Sequence, residues 1–374
     1  MKVEFYKHNL GKEENNLFQE VLNSTFITTG PMTKKFENEF SKYIGISNSI
    51  GVTNGTTGLF LALNALGIGS GDEVITTPMS FIATSNSIIQ NGAKPIFVDV
   101  EAQSGNIDAE KIEQAITPKT KAILPVHLYG QMCDMKKIKK IADANNLIIV
   151  EDSAHCIEGF RDNIRPGELS NAAVFSFYAT KNISSGEGGA VCTNDTELKE
   201  KLIKLRSHGM NNIAKDRHSV GFKHWDMDLL GYKSNMNDIQ ASLLIPQLSK
   251  IENFLKIREE ISKRYEKAFS LNDNIKTPLS LPNTRHARHL FTIRVNPKIR
   301  DNVILSLQKA DIGVTVNYRS INLLKYYKKM FNYTGGEFPI SEEIGESSIS
   351  LPLYPKLKTE EVDYVIEKVL LSVN

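Results

Sequence analysis

At 374 residues, 41% hydrophobic and 24% charged with a net charge of +2, the chain has a globular composition and enough length for two domains. The near-neutral balance excludes nucleic-acid binding through a broad basic field. No apolar run reaches about 18 residues and MKVEFYKHNL holds no signal-peptide core, so no membrane partner and a cytoplasmic location are expected.

From about residue 48, short β-rich runs alternate with longer helical ones. SIGVT (49–53) reads as a strand and TTGLFLALNALG (56–67) as an amphipathic helix; EVITT (73–77) is a strand and SFIATSNSIIQNG (80–92) a helix. KPIFVDV (94–100), KAILPVH (121–127), LIIVED (147–152) and AAVFSFY (172–178) follow as strands, with helices at 108–116 and 134–145 between them. Inner strands this apolar are covered on both faces, and strand–helix–strand repetition predicts a mostly parallel sheet flanked by helices. The segment 235–269 reads as one or two long helices. Beyond it, LPNTRHARHLFTIRV, a helix, GVTVNYR and a closing helix from 359 predict a smaller α+β domain. The boundary is placed near residue 250, giving a large domain over 1–250 and a small one over 251–374. Three cysteines, Cys133, Cys156 and Cys192, are odd in number and lack metal-ligand spacing. Core thiols in a reducing compartment are expected, and no metal site.

Ligands of such sheets bind beyond the carboxyl ends of the strands. VTNGTTGL (52–59) runs from strand to helix, and its free N–H groups with Thr56 and Thr57 suit a phosphate; ordinary capping by Asn54 or Thr56 is the alternative. IIVEDSAHCIEG (148–159) ends an apolar strand in Glu151 and Asp152, then His155. A buried carboxylate there needs a cation, such as a protonated heterocyclic nitrogen, unless it caps the next helix. His155 alone fits a structural histidine as well as a catalytic one. Lys181, in SFYATKNISSGEGGAV, follows Asp152 with a single strand between them, so both fall at one edge of the sheet. A desolvated lysine there is a Schiff-base former, and Ser176 can donate to the same phosphate. Phe81, at a strand-to-helix turn, either covers a flat cofactor or is plain core. Phosphate cradle, acid, ring and lysine together are what pyridoxal phosphate requires.

The ordered set FITTGPMTKKFENEF, NGTTGLFLALNALGIGSGDEVI, GAKPIFVDV, TKAILPVHLYGQMCDM, EDSAHCIEG, FSFYATKNISSGEGGAV, LRSHGM, GYKSNMNDIQASL and ISLPLYPKL resembles the DegT/DnrJ/EryC1/StrS family nearly end to end. That resemblance implies sugar aminotransferases with the type I aspartate aminotransferase fold. It implies that Lys181 binds the cofactor covalently and carries the proton of the 1,3-shift, and that Asp152 keeps the pyridinium nitrogen protonated. It places His155 near the phenolic oxygen, Phe81 on the ring, and Thr56, Thr57 and Ser176 at the phosphate. Asn235 matches an asparagine that completes the phosphate site of the neighbouring subunit, so a homodimer with shared active sites is implied.

Family members typically move an amino group from glutamate to a keto sugar on a nucleotide diphosphate carrier. TKN with GEGG, and GYKSNM, resemble the branch acting at C4 of a deoxyhexose rather than at C3. Tyr318, Arg319 and Arg288 are expected to meet the substrate. Where many relatives have histidines and a proline, the chain has NYRSIN (317–322), and RHARHL (285–290) is unusually basic. Those departures leave room for a small phosphorylated ketone held by Arg285, Arg288 or Arg319; solvated surface charge is the alternative for these arginines. The family's dehydratases carry histidine in place of the lysine, so Lys181 argues against that branch. A non-catalytic protein on this fold would be favoured by loss of Lys181 or Asp152, and both are present.

Overall fold

In the computed structural model, which describes residues 1–211 and 224–373, the alternating pattern becomes one seven-stranded sheet. Its strands are β1 (Asn48–Val52), β2 (Glu73–Thr76), β3 (Lys94–Phe97), β4 (Thr120–Ile123), β5 (Ile148–Asp152), β7 (Ala172–Ser176) and β8 (Gly189–Thr193); the short β6 (Phe160–Arg161) lies outside it. The order is β1-β8-β7-β5-β4-β2-β3. Pairings from β7 through β5, β4 and β2 to β3 are parallel, and β8 is antiparallel to both its neighbours. β2, β7 and β8 are buried along their whole length, as double coverage requires.

The helices of the first part are α1 (Lys12–Leu22), α2 (Pro31–Ile44), α3 (Gly55–Ala65), α4 (Ala83–Gln90), α5 (Ala109–Ile112), α6 (Met135–Ala144) and α7 (Thr196–Leu205). Asn54, Asp134 and Asp195 cap α3, α6 and α7 through their side chains, and Gly45 ends α2 at φ 82°, a left-handed turn that glycine adopts without strain. Alternation along the strands splits the core in two. Val174 and Val191 pack with Leu59, Ala62 and Leu202 on one face; Phe175, Ala190 and Cys192 pack with Phe36 and Phe40 of α2 on the other. The ring of Phe40 meets Phe175 and Phe177 edge-on at 5.1 and 5.3 Å. All three cysteines are buried free thiols, and burial pushes the Cys192 thiol up to about 12, an inert core group.

Segment 235–269 is one continuous helix, α8 (Asp238–Phe269), opened by a reciprocal Asn237–Gln240 capping box. Residue 250 falls inside it. Ala241, Leu244 and Leu248 pack on the Phe36–Phe40 core, whereas Ile261, Tyr265 and Phe269 belong to a second core that also takes Val3. There the strands are β9 (Thr284–Arg285), which pairs with β6, and β10 (Phe291–Arg294), antiparallel to β11 (Ser348–Leu351). α9 (Pro297–Lys309) and α12 (Thr359–Val373) back that pair, with α10 (Lys325–Phe331) and α11 (Pro339–Ser347) between. GVTVNYR forms only a single bridge, Thr315 to Ser350, before Asn317 and Tyr318 reach the main cavity. No helix among the described residues is long and apolar enough to cross a membrane.

Glycines 188 and 189 serve close packing. A Cβ on Gly189 would lie 2.5 Å from the Asn54 carbonyl carbon and 2.7 Å from the Gly55 nitrogen; one on Gly188 would meet Ser185 Oγ at 2.5 Å. Since the obstacle at Gly189 is backbone at the start of α3, Gly189→Ala is expected to cost about 1–3 kcal/mol in urea unfolding, whereas an alanine at half-buried Gly69, where a Cβ meets nothing closer than 3.8 Å, leaves the midpoint near wild type.

Candidate active site

The carboxyl ends of β5 and β7, the start of α3 and the turn before α4 converge on a cavity of about 1010 Å³. Asp152, the last residue of β5 and 7% exposed, faces it. Thr84 Oγ1 donates to its Oδ2 at 2.7 Å and the Ala154 N–H to its Oδ1 at 3.2 Å. Burial raises the carboxyl above its usual range, while these two bonds and the charge of Lys181 pull it back.

Lys181 sits in the turn between β7 and β8 and lines the same cavity. Burial lowers its amine to about 8, against the opposing pull of Asp152. A lysine in that range holds a minority of neutral amine near physiological pH, far more than an ordinary lysine, and is therefore available as a nucleophile and proton acceptor.

At the start of α3 the Asn54 side chain takes the Thr57 N–H at 2.8 Å and the Thr57 hydroxyl at 2.9 Å, and its carbonyl takes the Gly58 N–H at 3.0 Å. Both possibilities raised by the sequence are therefore present at once. Asn54 is the cap, and the first-turn N–H groups of Gly55 and Thr56 remain at the cavity wall, suited to an anion. Ser176, at the end of β7, lies beside them: a Cβ on Gly55 would come within 2.8 Å of its Cβ.

His155 follows β5 and is buried. Its Nδ1 accepts the Tyr129 N–H at 3.2 Å, so the neutral ring carries its proton on Nε2, which lies 3.1 Å from the Tyr318 hydroxyl. Burial, with the charge of Lys181, holds its pKa well below the usual histidine value and keeps it neutral. Phe81 is 53% exposed, which excludes the plain-core alternative; its ring stands 5.8 Å from that of Tyr318 at the cavity.

Other expected residues lie elsewhere. Asn235 does not line this cavity; its amide donates to the Thr29 hydroxyl. Arg288 is buried, with its guanidinium on Glu266 at 2.8 Å and Ser280 at 3.1 Å. Arg285 is paired with Glu252, and Arg319 is exposed and outside the cavity lining. Thr84, Tyr178 and Glu187 join the site unforeseen. Thr84 was within reach of sequence reading as a first-turn hydroxyl after β2, but its partner on β5 depends on strand order.

The profile of the DegT/DnrJ/EryC1/StrS aminotransferase family matches residues 8–370. The chain belongs to that family. Spore coat polysaccharide biosynthesis protein SpsC of Bacillus subtilis (strain 168) is 41% identical over 366 residues, 96% of this chain and 94% of that protein. Helicobacter pylori PseC, an aminotransferase involved in the biosynthesis of pseudoaminic acid, superposes with TM-score 0.94 at 30% identity, over 100% of this chain and 99% of that one. The putative sugar aminotransferase Spr1654 from Streptococcus pneumoniae, in its PMP form, gives TM-score 0.92 at 32% identity over 100% and 99%.

As a family member the protein is a sugar aminotransferase that uses pyridoxal 5'-phosphate. The site fits that cofactor by its donor set. Gly55, Thr56 and Ser176 offer phosphate donors, Asp152 a carboxylate whose burial calls for a cation, and Lys181 a depressed amine. In the cofactor-free protein, acylation of Lys181 should rise with pH through a midpoint near 8, measured by mass spectrometry of labelled peptides. Asp152→Asn removes the charge that raises this pKa, so its midpoint is expected to fall further.

Proposed function

We propose that the protein transfers the amino group of glutamate to the C4 ketone of a nucleotide-linked deoxyhexose, for a cell-surface glycan. The observation that carries the reading is the size of the cavity in which Lys181 and Asp152 meet. About 1010 Å³ is at the upper end of ligand pockets, suited to a cofactor together with a sugar nucleotide. The relatives' roles in spore coat polysaccharide and pseudoaminic acid biosynthesis support the glycan destination. The commitment of Arg285 to Glu252 and Arg288 to Glu266 weighs against a small phosphorylated ketone held by those side chains.

In this reading Gly55, Thr56 and Ser176 hold the cofactor phosphate, with Thr57, whose N–H and hydroxyl both go to Asn54, only backing them; Phe81 covers the ring and Asp152 stabilises a protonated ring nitrogen. The bound cofactor supplies an electron sink for the carbanion formed at the amino-bearing carbon. Lys181 Nζ takes the proton from that carbon and returns it on the far side of the nitrogen, two atoms away, as the 1,3-shift requires. A pKa of about 8 allows both directions near neutral pH. His155 presents Nε2–H to the cavity and Tyr318 faces the sugar, whereas Arg319, outside the lining, takes no part in this reading. Asn235, outside its own cavity, completes the phosphate site of a second copy in a homodimer.

The test is a two-stage titration of the cofactor-loaded protein. Glutamate should bleach the visible band, and a nucleotide-linked 4-keto deoxyhexose should restore it. Restoration by a small phosphorylated ketone alone would overturn the substrate assignment. Lys181→Ala should lose about 10⁴-fold or more in turnover with the fold intact by circular dichroism.

A further inference from the structure

Lys181 borders a second, much smaller cavity of about 20 Å³. Its wall combines the N-terminal segment 6–9, the turn 179–182, Arg258 of α8, His289 and Tyr354. Three of these residues carry buried polar atoms with no hydrogen-bond partner among the described residues: Asn9 Oδ1, Arg258 Nε and Nη1, and Tyr354 Oη. Arg258 is 2% exposed and Tyr354 3%. A buried polar atom left unpaired costs about 1–3 kcal/mol, so several around one cavity would consume a large part of a domain's stability. That all three residues line one small cavity therefore points to a ligand there.

Size and charge decide which ligand. A space of about 20 Å³ holds one water, which needs at least roughly 10–15 Å³, and leaves no room for a substrate carboxylate or a phosphate. The Arg258 cation is already neutralised by Glu158, whose other oxygen accepts from Asn182 at 2.6 Å. The unpaired Asn9 oxygen is an acceptor and would repel an anion. A water accepts from Arg258 and Tyr354 and donates to Asn9, the three bonds typical of a buried water.

We infer that this cavity is a built water site closing the back of the Lys181 site, with Asn9, Arg258 and Tyr354 as positioning residues for the lysine. The connection runs through named bonds. Arg258 holds Glu158, Glu158 holds Asn182, and Asn182, next in chain to Lys181, meets His289 Nδ1 at 3.1 Å. The His289 ring packs on His155 with centroids 4.3 Å apart, so the same network braces the imidazole that faces the main cavity. The N-terminal segment thus belongs to the site although only Phe5 of it lines the main cavity. The inference rests on the family role of Lys181 for its consequence, not for the water itself.

Two measurements test it. A high-resolution crystal structure of the cofactor-loaded protein should show one ordered water within hydrogen-bond distance of Arg258, Tyr354 and Asn9. Asn9→Leu fills the cavity with hydrocarbon, and Tyr354→Phe removes a hydroxyl while keeping the ring. Both withdraw polar surroundings from the charged form of Lys181, so the midpoint of the pH-dependent visible absorbance should fall, by about half a unit or more in Asn9→Leu and less in Tyr354→Phe. A dry cavity in the wild-type crystal, or wild-type midpoints in both variants, overturns the inference. Absence of any visible band would contradict the cofactor role of Lys181, while the crystallographic result would still decide the water.

Discussion

Asp152 and Lys181 are each held where burial works against their charge, and the rest of the structure is arranged around that conflict. The carboxyl is pushed up and the amine down, and their mutual attraction offsets only part of either shift. Two groups poised in this way respond strongly to any further charge placed between them. A cationic ring nitrogen beside Asp152 would relieve the carboxylate, and an amine near 8 is ready to change protonation state during turnover. Neither property comes from the side chains alone, because both depend on a cavity wall that excludes water from them.

The sheet makes that wall. Parallel strands β5 and β7 are neighbours, so their carboxyl ends bring Asp152 and Ser176 to one edge, and the turn after β7 delivers Lys181. The start of α3 reaches the same edge because Gly189 permits the backbone of β8 to pass against Asn54 and Gly55. Thr84 and Ala154 fix the carboxylate from two sides, and a backbone N–H fixes which nitrogen of His155 carries its proton. Behind these groups, α8 contributes Arg258 to the buried chain of Glu158, Asn182 and His289. One helix thereby ties the second core to the residue beside Lys181.

Much of this was legible in the residues themselves. The apolar runs at 73–77 and 147–152 could only be doubly covered strands, and β2 and β5 are found there. Asp152, His155, Ser176, Lys181, Thr56, Thr57 and Phe81 all reach one cavity because each ends or follows a strand or opens a helix, a local property; Tyr318 reaches it from an irregular segment. Long-range pairing was not legible. Arg288 looked available in a basic stretch, yet its partner Glu266 comes from the end of α8. The antiparallel β8 was not among the expected strands; it pairs with β7 and with β1, which comes from a distant part of the chain. Asn235 lies outside its own cavity, and the role proposed for it needs a second copy that no single chain displays.

The account stands on Lys181 being the residue that carries the cofactor. Borohydride reduction of the protein loaded with pyridoxal 5'-phosphate, followed by proteolysis and mass spectrometry, tests that claim most directly. The account predicts the cofactor's mass on the peptide that contains Lys181 and on no other lysine, with Asp152→Asn labelled at the same residue. Attachment to a different lysine, or full labelling of Lys181→Ala, would contradict it.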